Sequence, residues 1–145
     1  MKTKPQHDHS AKLLQVTELL QRSGIRPTRQ RTALARYLFD GCDKHMTAEQ
    51  VHAAMRKAKT GVSLATVYNT LHQFTEAGLM HQVVIDSNRV YFDTNIHDHH
   101  HFFDETTGML HDVPAKHVHI SRLPKLPAGR ELDRVDVVIR LRAGK

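Results

Sequence analysis

Seven of the chain's thirteen histidines lie between His97 and His119, and the densest run is His97-Asp98-His99-His100-His101. Imidazole nitrogen and carboxylate oxygen are donors that divalent iron, manganese and zinc accept, provided the ligands converge from a frame that holds them in place. On an extended segment residues two apart share a face. His99 and His101 therefore point together and can share an ion without distorting the strand, while His100 points to the other face. His100, His117 and His119, with Asp98 nearby, make a second and sparser group, suited to another ion or to axial ligation of haem iron. A solvated histidine-rich loop would account for either group. Cys42 is the only cysteine, which excludes an intrachain disulfide and any zinc site of paired thiolates. Metal chemistry thus falls to histidine and carboxylate.

These residues need elements to hold them, and the punctuation of the chain supplies candidates. Residues 11–23 read as a first helix, capped by Ser10 and ended by Gly24. Thr28 caps a second helix that carries Leu34, Tyr37 and Leu38 toward Gly41. Thr47 and Gln50 stand three apart, the spacing of a capping box, ahead of Val51, Ala54, Met55 and Ala58. Ser63 caps a fourth helix whose Leu64, Val67, Leu71 and Phe74 form one apolar stripe that Gly78 closes. The period then changes to two. His81–Ile85 and Arg89–Asp93 flank Asp86-Ser87-Asn88 as a hairpin. Four helices followed by a hairpin suggest a winged helix, in which the third and fourth helices pack as a helix-turn-helix and the fourth enters the major groove.

The rest of the chain predicts strands near His99–Phe103, Met109–Asp112 and Val135–Leu141, and any helix between must be short, beginning near Ala115 and failing before Pro124. So few apolar residues are marginal as an independent unit, and pairing with a second copy would bury the exposed sheet edge. The expected fold is α+β. Residues 1–93 form a winged-helix DNA-binding domain, its first ten residues flexible, and residues 94–145 a small α/β dimerisation domain.

Charge divides the chain at nearly the same place. Residues 1–86 carry 12 Lys/Arg against 7 Asp/Glu, and residues 87–145 carry 9 against 8, so most of the net +6 belongs to the first part. A basic half favours a polyanionic partner, although a solvated basic surface is common. No apolar run approaches the ~20 residues of a membrane helix, and the polar start Met1-Lys2-Thr3-Lys4-Pro5 lacks the apolar core of an export signal. A cytoplasmic protein without a membrane partner is expected.

Four stretches, in order and spacing, resemble the ferric uptake regulator (Fur) superfamily: Gly24–Arg31, Thr47-Ala48-Glu49, Ser63–Leu71 and His97–His101. His97–Phe103 followed by Asp104-Glu105, together with Val135–Arg142, looks like the iron response regulator (Irr) branch of alphaproteobacteria. The resemblance covers nearly everything from about residue 12. It implies a transcription regulator, a homodimer that binds a palindromic, A·T-rich site on double-stranded DNA with recognition helices ~34 to 36 Å apart. By the same resemblance Asp93 corresponds to the family's acidic ligand and His45 to its ligand from the DNA-binding domain. One inter-domain site at His45, Asp93, His99 and His101 is implied, filled by iron or manganese in the cell and by zinc in a purified sample. The implied DNA face is Arg26, Arg31, Ser63, Thr66, Tyr68 and Asn69, with the Tyr68 ring against a thymine methyl and the two arginines on the backbone or an adjacent minor groove.

Two departures from the family pattern bear on sensing. Asp104 and Thr107 stand where many members have a CxxC pair, and Cys42 is followed by Asp43 where some Irr proteins have Cys-Pro. The Irr likeness implies control of haem synthesis and iron homeostasis genes, often by repression when iron is scarce, through a metal ion or haem. The alternatives are a regulator answering only to manganese or zinc, a small metalloenzyme with a histidine site but no evident general base, and a metal-storage module.

Overall fold

In the computed structural model the described residues are 7–145, with side chains described from Leu13 onward. The chain divides into two compact units, and the boundary falls between Ile96 and His97. The fold is α+β, a winged-helix unit followed by a small sheet unit.

The first unit runs α1 (His7–Arg22), α2 (Arg29–Leu38), β1 (His45–Met46), α3 (Ala48–Lys57), α4 (Leu64–Glu76), β2 (His81–Val84) and β3 (Val90–Asp93). Helix α1 begins before Ser10, which therefore lies inside it; serine costs a helix interior only a few tenths of a kcal/mol, too little to fix the start. Of the ten residues expected to be flexible, 1–6 lie outside the described residues, and His7–Ser10 belong to α1. The other caps form as the sequence predicts. The Arg31 amide donates to the Thr28 hydroxyl, and Thr47 and Gln50 satisfy each other's amides in a complete capping box. Ser63 accepts from the Thr66 amide at the start of α4. Such caps are each worth about 1 kcal/mol, because they satisfy helix donors that nothing else in the helix can reach.

Helix α4 buries Val67, Thr70, Leu71 and Phe74 against Leu34 and Leu38 of α2 and Val51 and Met55 of α3, within one continuous core. Phe74 meets the Phe39 ring at 5.6 Å. Burying each such side chain contributes roughly 1.5–3 kcal/mol, so this stripe fixes α4 to the body and leaves its opposite face to solvent. The turn between α3 and α4 places Lys59 at φ 55°, a left-handed conformation, two residues before Gly61 at φ 71°.

Strands β1, β3 and β2 form an antiparallel sheet in that order. The two-residue strand β1 is too short to leave any periodicity in the sequence.

The second unit holds β4 (His99–Asp104), β5 (Leu110–Pro114), a 3-10 turn (Ala115–His117) and β6 (Val138–Leu141), with sheet order β5-β4-β6. Strands β4 and β5 form an antiparallel hairpin, and β6 runs parallel to β4. The helix here is short and begins at Ala115, as the sequence requires, and the chain then runs to β6 without regular structure. Pro124 and Pro127 remove amide donors and disfavour helix in the residues before them, so no α-helix propagates here. The last strand is also shorter than Val135–Leu141, starting at Val138.

Candidate metal centre and nucleic-acid interface

Strand alternation brings the His99 and His101 rings to 4.6 Å of one another, as their spacing predicts. Across the hairpin, His101 is the register partner of Asp112 on β5. The Asp112 Oδ1 stands 3.6 Å from His99 Nε2 and 3.4 Å from His101 Nε2. These separations exceed an ordinary hydrogen bond and suit donors arranged around a shared centre. The three side chains each offer a ligand atom within 4.8 Å of the others. His101 is buried, and the His99 ring is fixed by an Nδ1 contact of 2.6 Å to the His97 carbonyl. Such orientation of one imidazole nitrogen by backbone is the arrangement that leaves the other for an ion. Two imidazoles and a carboxylate, with no thiolate, fit Fe(II), Mn(II) or Zn(II).

Sequence reasoning missed Asp112. The signal that locates it is the register of the hairpin about the 104–109 turn, which a linear reading does not supply.

In the first unit His45 and Asp93 are register partners on β1 and β3, and His81 faces Asp93 from β2. Partners directly opposite on adjacent strands share a face of the sheet. Asp93 is buried, and its Oδ1 accepts from the Asn95 amide at 2.9 Å.

The residues of the second group expected from the sequence lie outside this cluster. Asp98, His117 and His119 are exposed. His100 is buried, and its Nδ1 accepts the Val137 amide at 3.1 Å. An imidazole nitrogen that accepts an amide proton is the unprotonated one, so this bond assigns the neutral ring its proton on Nε2.

On the winged-helix unit, α3 and α4 are joined by the short turn of residues 58–63, and α4 opens with exposed Ser63, Tyr68 and Asn69 and half-buried Thr66. The Ser63 hydroxyl lies 3.0 Å from that of Thr66. Tyr68 donates its phenol to Glu49 Oε1 of α3 at 2.5 Å. That bond raises the Tyr68 phenol above its usual range and holds the Glu49 carboxyl below its own, so both stay in the forms the bond requires. Glu49 also went unread as a site residue, because its role depends on the packing of α3 beside α4. Arg26 is exposed. Arg31 is tied down, donating Nε to Gln73 Oε1 and Nη1 to the Arg26 carbonyl.

Helix-turn-helix, flanking hairpin and a histidine–carboxylate cluster on a separate small sheet together define a winged-helix protein with a metal-type donor set. The ferric uptake regulator family model matches residues 22–135, and the chain belongs to that family. It is 33% identical over 93 residues to the peroxide-responsive repressor PerR of Staphylococcus epidermidis, which is 64% of this chain and 61% of that protein. The chain thus spans under two thirds of the length of this curated relative. The manganese-bound ferric uptake regulator of Pseudomonas aeruginosa superposes with a TM-score of 0.65 at 26% identity, covering 89% of this chain and 98% of that one. The Vibrio cholerae ferric uptake regulator gives 0.69 at 18% identity over 88% and 98%, a likeness of fold. Among the described residues no helix is long and apolar enough to cross a membrane.

Proposed function

We propose that this protein is a metal-responsive, DNA-binding transcriptional regulator that acts as a homodimer. The observation that carries the reading is the convergence of His99, His101 and Asp112. His45 and Asp93 are proposed as further ligands, and an ion sharing ligands from both units would set the spacing of two recognition helices. Iron or manganese is the physiological ion in this reading, and zinc the one a purified sample retains. The manganese in the Pseudomonas aeruginosa structure supports this choice, and the name of the staphylococcal relative supports repression.

DNA is engaged by α4 in the major groove. Tyr68 and Asn69 face base edges, the Ser63–Thr66 turn faces phosphate, and Arg26 meets the backbone, with Arg31 supporting its loop. The operator is A·T-rich and palindromic. A gel-shift series with the parent and a His99→Ala, His101→Ala variant, with and without Mn(II), tests the reading. Metal-dependent retardation is expected for the parent alone, and equal behaviour of the two proteins would overturn it.

The finer reading is that the signal is iron status, as ferrous ion or haem, and that the genes are those of haem synthesis and iron homeostasis. Its support is the likeness of His97–Glu105 and Val135–Arg142 to the iron response regulator branch. The exposed imidazoles of His117 and His119 are accessible to haem iron as axial ligands. A sharpened Soret band that disappears when His100, His117 and His119 are replaced together would support haem, and equal haem binding by parent and variant would leave the metal ion alone.

A further inference from the structure

Glu49 is the second residue of α3 and is exposed beside the α4 face that carries Tyr68. A carboxylate has the wrong sign for a surface that meets phosphates, and an acidic group set there repels every duplex alike. The partner it takes is a neutral one: the Tyr68 phenol donates to Glu49 Oε1 at 2.5 Å. That bond first, with its own amide and the Thr47 hydroxyl after it, holds the Glu49 carboxyl below the usual range. The first turn of a helix favours the same charge.

Tyr68 borders the buried stripe of α4, next to Val67, and its ring is exposed. A helical tyrosine without contacts samples two χ1 wells, whereas a ring set against one base edge uses one. Ordering a side chain on binding costs affinity, and a contact that orders it beforehand removes that cost. The acceptor that does so here stands on firm backbone. Val51 and Met55 of α3 and Val67 and Leu71 of α4 share one core, and the capping box of Thr47 and Gln50 fixes the turn that carries Glu49.

We propose that Glu49 is a positioning residue for DNA recognition, which holds the Tyr68 ring in the direction that meets a base and so sets how far the operator is preferred over other sequences. On the DNA face proposed above, on which this role rests, Tyr68 carries the contact and Glu49 acts through it. The two effects of the carboxylate run in opposite directions. Its charge weakens binding to all duplexes, whereas the hold on Tyr68 strengthens binding only where the ring meets its base. A merely structural residue would move both kinds of binding the same way.

The test is a fluorescence anisotropy titration of the full chain with Mn(II) against two duplexes, one selected by the parent from a random pool and one with the same bases scrambled. Glu49→Ala should weaken binding to the selected duplex on the order of two- to ten-fold, while it binds the scrambled duplex at least as tightly as the parent does. Glu49→Gln keeps an oxygen that accepts the phenol and should recover most of the parent's preference. In a Tyr68→Phe background the phenol is gone, so Glu49→Ala should leave the preference unchanged, the non-additivity of two residues acting as one unit. Glu49 is exposed and the Thr47 and Gln50 box is untouched, so helical circular dichroism and melting should stay close to the parent's. A parent-like preference in Glu49→Ala, an equal loss in Glu49→Gln, or full additivity with Tyr68→Phe would overturn the positioning role and leave the DNA face standing. A parent that selects no sequence from the pool would overturn the DNA face and the positioning role together.

Discussion

Replacing Asp112 by asparagine tests the metal-binding role proposed for the cluster. The side chain is 39% exposed, and its oxygen stands 3.4 and 3.6 Å from the two imidazoles, beyond hydrogen-bond range. The substitution keeps the shape and size of a partly exposed side chain, and its cost to the apoprotein should stay within about 0.5 kcal/mol, as for other surface changes. What is lost is the anionic oxygen available to a cation. With free Mn(II) at a hundred times its dissociation constant, binding stabilises the parent by about 2.7 kcal/mol. For a chain of this size that corresponds to a rise in Tm of roughly 5–11 °C. Removing even an outer partner of a metal site typically costs 10–100-fold in affinity. At the same Mn(II) concentration the asparagine variant should then retain only about 1.4 to 0.4 kcal/mol. Thermal melts with and without Mn(II) measure both quantities. An equal shift in parent and variant would remove Asp112 from the site, and a parent indifferent to Mn(II), Fe(II) and Zn(II) would remove the site.

On the DNA face, Tyr68→Ala should weaken specific operator binding by about 1–3 kcal/mol, the worth of one good base contact. Tyr68→Phe should lose less in the same gel-shift titration, because it keeps the ring and forfeits only the anchor to Glu49. The same bond holds the Glu49 carboxyl below the ordinary glutamate range, so its contribution to stability is complete above that range and is lost as pH falls through the lower folded value. Acid unfolding of Tyr68→Phe should show a shallower slope below about pH 4.5, and a slope equal to the parent's would refute the coupling. Arg26→Ala should reduce the salt dependence of DNA binding by about one counterion with little effect on melting. Arg31→Ala should instead cost about 1–2 kcal/mol of stability through its bonds to Gln73 and the Arg26 carbonyl. Lys59→Gly relieves a left-handed lysine at φ 55° and should stabilise the chain by up to about 1 kcal/mol in chemical denaturation.

The elements that rest on local physics were legible in the sequence. Thr28, Thr47 with Gln50, and Ser63 cap the helices they were expected to cap, because a cap is decided within four residues. The α4 stripe was legible because a period of 3.6 records which face is buried. The pairing of His99 with His101 was legible because a strand has a period of two. Features decided between elements were hidden. Asp112 joins the cluster only through the β4–β5 register, β1 exists only because β3 is beside it, and Glu49 reaches Tyr68 only because α3 packs on α4. The shortness of the helix at Ala115 was legible too, because Pro124 and Pro127 deny the uninterrupted length a helix needs to repay nucleation.

The hidden register is itself held by residues that looked like a loss. Where many relatives carry a thiolate pair, this chain has Asp104 and Thr107, and the structure gives both a role in the turn. The Asp104 carboxylate accepts the amides of Thr106 and Thr107, and its carbonyl accepts the Gly108 amide at 2.7 Å. Gly108 adopts φ 71°, which a side chain would strain. These amide bonds hold the Asp104 carboxyl below its usual range, so the turn is closed by an ionised aspartate at neutral pH. A slip of one residue in the hairpin would turn Asp112 to the opposite face and leave His99 and His101 without their carboxylate. The hairpin thus helps keep the donor set assembled through these turn hydrogen bonds, with no thiolate contributing to it. The lone Cys42 is in the other unit. In the proposed reading, the donors this sheet offers an ion are imidazole and carboxylate.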